Sequence, residues 1–240
     1  MSTDALNVTP GKSTQWTAVI AALAPMALLA AWMHGVRETS PAISEFFLGP
    51  LLIGGAMIFW LLFLHLVACR DRLPSLGLGR GRRVADLALG IVFGMGLLVL
   101  KHVTDPWLLG LFPRRPPTSE MLQLIRAVAA DPWLLALWLG PVVWLGVALF
   151  EELWRAFMLN RLGALFPGRA GAWSVLLGVS AVFGLAHGYQ GPAAMLSIGA
   201  KSVLMGAWFM RTRRLVPLIV AHAVYDSVQI AMAAWVMRGS

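Results

Sequence analysis

Seven long apolar runs, at about 16–33, 46–68, 84–102, 133–160, 172–187, 193–210 and 215–237, constrain this chain more than any other feature. Each is near the roughly twenty residues with which an α-helix crosses a hydrocarbon core. The 240 residues are 59% hydrophobic and only 12% charged, whereas soluble domains carry about a quarter charged residues. No water-soluble globule could hide so much apolar side chain. The expected fold is therefore all-α, a polytopic transmembrane helix bundle of about seven spans. The net charge of +8 lies in loops between the runs and not along one basic stripe, which argues against a nucleic-acid partner and for membrane lipids as the surroundings. A single cysteine, Cys69, rules out an internal disulfide framework and, beside Arg70 at the end of a run, reads as an inert thiol.

Residues 1–15 form a polar tail, and 16–238 read as one transmembrane helical domain. The first run could pass for a secretory signal, but it continues beyond Ala22-Leu23-Ala24 without a clean cleavage pattern. Two copies of Asp-Pro-Trp-Leu-Leu, at 105–109 and 131–135, each place an N-capping aspartate before a proline, and both are expected to mark helix starts. Gly90 and Gly94 give the third run a small-residue face for close helix packing. Gly188, Gly191 and Pro192 break the fifth run from the sixth.

Lysine and arginine favour cytoplasmic loops. With the amino terminus in the cytoplasm, Lys12, Arg70, Arg72, Arg80, Arg82, Arg83, Arg161, Arg169, Arg211, Arg213 and Arg214 fall inside. Only Arg37, Arg114, Arg115, Arg126 and Arg238 fall outside. Eleven against five supports an amino terminus in the cytoplasm and reads the arginine-rich 70–83 loop as a topology signal.

Ionisable side chains inside a bilayer cost from a few to more than about ten kcal/mol, so those within the spans call for a role. Glu151, Glu152 and Arg155 lie inside the fourth run, His187 ends the fifth, and His222 and Asp226 stand one helical turn apart in the seventh. Glu151 and Arg155, four apart, share a helix face, while Glu152 points about 100° away. Lipid cannot satisfy these groups, so they are expected to face inward and meet. His34, His65 and His102 lie near helix ends and are expected to face headgroups or loops. Lys201, deep in the sixth run, either pairs with a carboxylate or lines the cavity.

A carboxylate in apolar surroundings resists ionisation and so gains proton affinity useful to a general base. With an imidazole beside it, such a glutamate could polarise a water against a peptide carbonyl, and a further donor could hold the developing oxyanion. The same residue types also supply a catalytic zinc site with one open position, with His187, His222 and either Glu151 or Asp226 as ligands, Glu151 being the preferred carboxylate. No spacing diagnostic of a metal is present, so no cofactor is obligatory and zinc is an alternative. Two non-enzymatic readings stay open: a small ion or solute transporter, and a non-catalytic membrane scaffold or immunity protein.

Over roughly 135–230 the chain resembles the CPBP family of intramembrane proteases, which includes CAAX-processing endopeptidases and bacteriocin-processing relatives. The resemblance rests on three motifs in family order: Glu151-Glu152 with Arg155, Phe183 with His187, and His222 with Asp226. It implies a catalytic core at about 133–237 that cleaves a membrane-anchored or lipophilic peptide or protein, near its carboxyl end. It also implies that Glu151 and His187 activate water, that His222 and Asp226 face the scissile carbonyl, and that Arg155 holds Glu152. Phe183 supports the second motif. Two departures stand out. Only Leu153 and Trp154 separate the glutamate pair from Arg155, where the family has three residues, and aspartate replaces the more usual asparagine at position 226. We take the register from the glutamates, because a long arginine absorbs a one-residue rotation more easily than the site absorbs a missing base. Short loops and the absence of sorting segments point to a bacterial inner membrane. Depth poses a conflict: at about 1.5 Å per residue, Glu151 lies about 15 Å from Arg161 and His222 about 12 Å from Arg214, but His187 lies about 27 Å from Arg169. Either the fifth helix starts late, or it tilts strongly, or its histidine lies outside the site.

Overall fold

A computed structural model describes residues 11–38, 42–79, 83–112 and 118–239. Residues 1–10 of the polar tail, and Arg80, Arg82, Arg114 and Arg115 of the charge count, lie outside the described residues. The described chain is helical and holds no strand: α1 (Lys12–Glu38), α2 (Ile43–Phe63), α3 (Arg83–Leu111), α4 (Ser119–Ala130), α5 (Pro132–Leu137), α6 (Phe150–Leu165), α7 (Gly168–Ala186), α8 (Pro192–Thr212) and α9 (Val216–Gly239). A π-helical segment, Leu64–Ala68, extends α2, and another, Trp138–Leu149, joins α5 to α6. Counted as continuous helix, seven stretches are long and apolar enough to cross a membrane. This is an integral multi-pass membrane protein, and Phe59, Trp107, Trp133 and Trp235 turn apolar rings outward from it.

Two sequence expectations need correction. The 105–109 copy of Asp-Pro-Trp-Leu-Leu does not start a helix, since α3 runs through Pro106 to Leu111. Asp105 is committed elsewhere: Lys101 pairs with it from one turn back, and Ser197 Oγ on α8 donates to it at 3.1 Å. The 131–135 copy does cap α5, with Asp131 Oδ1 accepting from Trp133 N at 2.8 Å and Leu134 N at 3.2 Å. The second correction concerns 119–130, where the sequence alone suggested no element. There α4 forms, capped by Thr118, whose Oγ1 accepts from Met121 N at 3.2 Å. It is too short to span, and packs Met121 and Leu124 against Trp32 and Phe46.

In lipid, a carbonyl freed by proline must find another donor. Pro25 lies inside α1, so Ala21 O has no amide partner one turn on. The Trp60 indole on α2 donates to it at 3.0 Å, and the Trp154 indole on α6 donates to the adjacent Ala22 O at 2.9 Å. α1 is thereby tied at this turn to two neighbouring helices. The small face on α3 meets α9: a Cβ on Gly90 would stand 2.4 Å from Val220 Cβ, and one on Gly94 would stand 2.6 Å from Ala221 O. This close approach fixes the helix that carries His222.

His65, expected to face headgroups or a loop, faces the loop that follows α2. It is fully buried, with Nδ1 2.8 Å from Arg161 Nη2 and Nε2 3.0 Å from Arg72 O. Arg161 also donates to Asp71 Oδ2 at 2.7 Å. Burial raises the Asp71 carboxyl, but the hydrogen bond from Arg72 N and the one from Arg161 outweigh it and hold the group below the ordinary aspartate range. Burial pushes the Cys69 thiol up, which agrees with an inert cysteine.

Candidate active site

From Phe150 to Leu159 every residue of α6 is buried. A helix enclosed on all sides cannot turn its charges to a surface, so they must be satisfied by neighbours. Glu152 and Arg155, three residues apart, are ion-paired. Arg155 also donates from Nε to Ser202 Oγ on α8 at 3.2 Å, and its guanidinium lies 4.4 Å from the centre of the Phe183 ring on α7. The other oxygen of Glu152 accepts from His222 Nδ1 at 2.7 Å. Glu152 is therefore fully engaged.

Glu151 is not. Its Oε2 is buried without a hydrogen-bond donor within reach, 3.6 Å from His222 Nε2, and its Oε1 lies 3.8 Å from His187 Nε2. Both separations are too long for a direct hydrogen bond, yet suit two groups that share one water. The π-helical segment before α6 contains Gly140, Pro141 and Gly146. Its wider turn sets the rotation at which Phe150, Glu151 and Glu152 enter the core, a rotation that counting at 3.6 residues per turn does not give.

His187 caps the end of α7. Its Nδ1 donates to Phe183 O at 2.8 Å, and its ring lies 4.9 Å from that of Phe183. In the neutral imidazole this leaves the Nε2 lone pair facing Glu151. The depth conflict resolves without removing His187 from the cluster. α7 begins at Gly168, earlier and not later than expected, and the turn that follows, Gly188–Gln190, contributes Tyr189 and Gln190 to the wall of the central cavity. The end of α7 thus lies beside the cavity that Glu151 and His222 also line. Gly191, at φ 96°, makes the reversal into α8, a left-handed geometry that favours glycine.

His222 stands between carboxylates. Nδ1 serves Glu152, while Nε2 faces Glu151 at 3.6 Å and Asp226 Oδ2 at 3.4 Å. Carboxylates only accept when ionised, so a proton on Nε2 is what would let His222 serve Glu151 or Asp226. Glu151, Arg155, Phe183, His187, His222 and Asp226 all line a cavity of about 970 Å³, and Glu152 lies behind them, fully buried. α6, α7 and α9 thus bring together every candidate residue read from the sequence. Sequence reasoning did not foresee Ser202, Ser197 or Tyr225, because neutral hydroxyls in an apolar run carry no signal until the helices are docked. Lys201 lines the same cavity and bonds Ser197 and Tyr225, with no direct carboxylate partner among the described residues.

Among the described residues, no group of three or more His, Cys, Asp or Glu side chains is arranged to hold a metal ion. Zinc held by Glu151, His187 and His222 stays an alternative that the site's geometry does not favour. Residues 132–228 match the model of the family described as type II CAAX prenyl endopeptidase Rce1-like, in agreement with the resemblance carried by the three motifs. The matched stretch holds all seven residues of the cluster, from Glu151 to Asp226. No curated protein and no solved structure matches the chain.

Proposed function

We propose that this protein is an intramembrane endopeptidase of the glutamate type, hydrolysing a peptide bond near the carboxyl end of a membrane-anchored or lipophilic peptide or protein in a bacterial inner membrane. The observation that carries the reading is the Glu151 carboxylate, buried without a protein donor and flanked by two imidazole nitrogens at one-water distances. Glu151 takes a proton from a water that His187 Nε2 helps to orient. The hydroxide adds to the carbonyl carbon of the scissile bond. His222 Nε2–H, aligned by Glu152 through Nδ1, donates to the oxyanion. Glu151 then passes its proton to the amine nitrogen as the C–N bond breaks. Arg155 keeps Glu152 ionised and in place, and Asp226 holds the proton on His222 Nε2. The chemistry needs no metal. Family likeness of the 132–228 stretch supports the reaction class.

The test is cleavage of N-palmitoylated peptides with randomised last residues by the full chain in proteoliposomes. Glu151→Gln is expected to lower kcat by about 10²–10⁴, the range for loss of a general base, with thermal melting unchanged or raised. Undiminished cleavage by Glu151→Gln ends the reading. Activity is also expected to survive dialysis against chelators; loss that zinc restores would replace the glutamate mechanism by a metal-dependent one. Ion or solute flux without any cut peptide would favour a transporter.

A further inference from the structure

The cavity has a second polar wall that the proposed hydrolysis leaves unused. Lys201 on α8 is 7% exposed and immediately precedes Ser202, which holds Arg155. Its Nζ donates to Ser197 Oγ at 2.8 Å and to the Tyr225 hydroxyl at 2.6 Å. Both acceptors are neutral, and an ammonium has three donors. Among the described residues no carboxylate stands within 4.0 Å of Nζ. The nearest connected one, Asp105, is paired to Lys101 and reaches Lys201 only through Ser197. A desolvated cation with no carboxylate in direct contact is costly to keep, and its spare donor lies on the wall of a cavity that also exposes Glu151.

Charge divides that cavity into two poles. Lys101 and Lys201 outnumber Asp105 on one wall, whereas Glu151 and Asp226 outnumber Arg155 on the other. An anionic group entering the cavity is repelled by the second wall and drawn to the first. We infer that Lys201, positioned by Ser197 and Tyr225, is a carboxylate-binding subsite that anchors an anionic end of the peptide whose bond is cut beside Glu151. The inference rests on the endopeptidase reading. Tyr225 follows His222 by three residues, about 4.5 Å of helix rise, so the anchored carboxylate lies within a few residues of the scissile bond, each spanning about 3.5 Å. The carboxylate belongs either to the chain terminus or to an acidic side chain near it.

Three N-palmitoylated peptide mixtures separate these sources, each randomised over non-acidic residues at its end: one ends in a free carboxylate, one in an amide, and one in an amide with a glutamate among the last residues. With the full chain in proteoliposomes, the free acid or the glutamate amide is expected to exceed the plain amide by about tenfold or more in kcat/KM, mainly through KM. Lys201→Met should erase this preference and Lys201→Arg should keep it. Whichever charged mixture is favoured identifies the source of the carboxylate. Equal cleavage of all three, or a preference that survives Lys201→Met, overturns the inference. Should Lys201→Met fail to fold, Tyr225→Phe, which removes one of the two acceptors, is expected to raise KM for the favoured mixture several-fold, and an unchanged KM counts against the subsite. Binding of the same mixtures to Glu151→Gln protein in nanodiscs reads the subsite without cleavage. There the preference supports the inference if Lys201→Met removes it, and equal binding refutes it. If no mixture is cut by the unaltered chain, the endopeptidase reading falls while the binding comparison still decides the subsite.

Discussion

Adjacent in sequence, Glu151 and Glu152 differ in what surrounds them. Glu152 accepts from Arg155 and His222, whereas Glu151 accepts from neither. The pair Glu152–Arg155 is almost wholly screened from solvent, at 0% and 2% side-chain exposure. Removing one partner therefore strands a charge in a dry interior. Arg155→Met is expected to cost about 3–5 kcal/mol of stability, read as a lower melting temperature in detergent. Adding Glu152→Gln to it should recover most of that loss, because the stranded charge is gone; a double variant no more stable than Arg155→Met would show that packing under Phe183 and Ser202 carries the effect. The residue types of this cluster were legible in the sequence, since charges inside apolar runs stand out at once. Which glutamate takes the arginine did not follow from spacing alone, although the family resemblance implied Glu152, and the ion pair is there. Positions three and four apart are both helical neighbours, and Ser202 and Phe183, from two other helices, tip the choice to Glu152.

At the scale of helices, the site depends on how closely α3 approaches α9. Ala221, whose carbonyl would lie 2.6 Å from a Cβ on Gly94, directly precedes His222. That atom is backbone and cannot swing aside, so Gly94→Ala must push the two helices apart. The expected cost is about 1–3 kcal/mol, with up to about 10²-fold lower kcat as His222 moves off Glu152. Gly96, two residues on, has open space where a Cβ would stand, with no neighbouring atom within 4 Å; Gly96→Ala is expected to leave melting and turnover unchanged. Equal effects from the two substitutions would refute the packing account. The Gly90/Gly94 face was legible because small residues one turn apart leave a groove whatever fills it. α4 was not, since it is too short for a span and its cue, Thr118 ahead of Met121, Leu124 and Val128, is no stronger than many loop sequences. The first Asp-Pro-Trp-Leu-Leu misled for a different reason: Asp105 has tertiary partners in Lys101 and Ser197, and these override its capping preference.

For the molecule as a whole, span number followed from length and hydropathy, but depth did not. Counting residues inward from arginines assumes helices of equal tilt, and it misses that the turn after α7 lines the cavity. Orientation rests on charge, and the arginines on the side expected to be cytoplasmic also carry structure. Arg161 binds His65 and Asp71, Arg213 binds Asn160, and Arg214 binds Asp86. Loop anchoring and topology therefore draw on the same residues, and a change to any of these three tests both at once. Positions free of that coupling give the cleaner answer. Arg169, at the start of α7, and Gln190, in the turn after it, are both exposed and flank one span. With Cys69 replaced by serine, a single cysteine at Gln190→Cys should react with a membrane-impermeant maleimide in intact cells. One at Arg169→Cys should react only after the membrane is opened. The reverse pattern would place the amino terminus outside and would open the His187 end of the cavity toward the cytoplasm, so that cleaved carboxyl-terminal fragments would collect there.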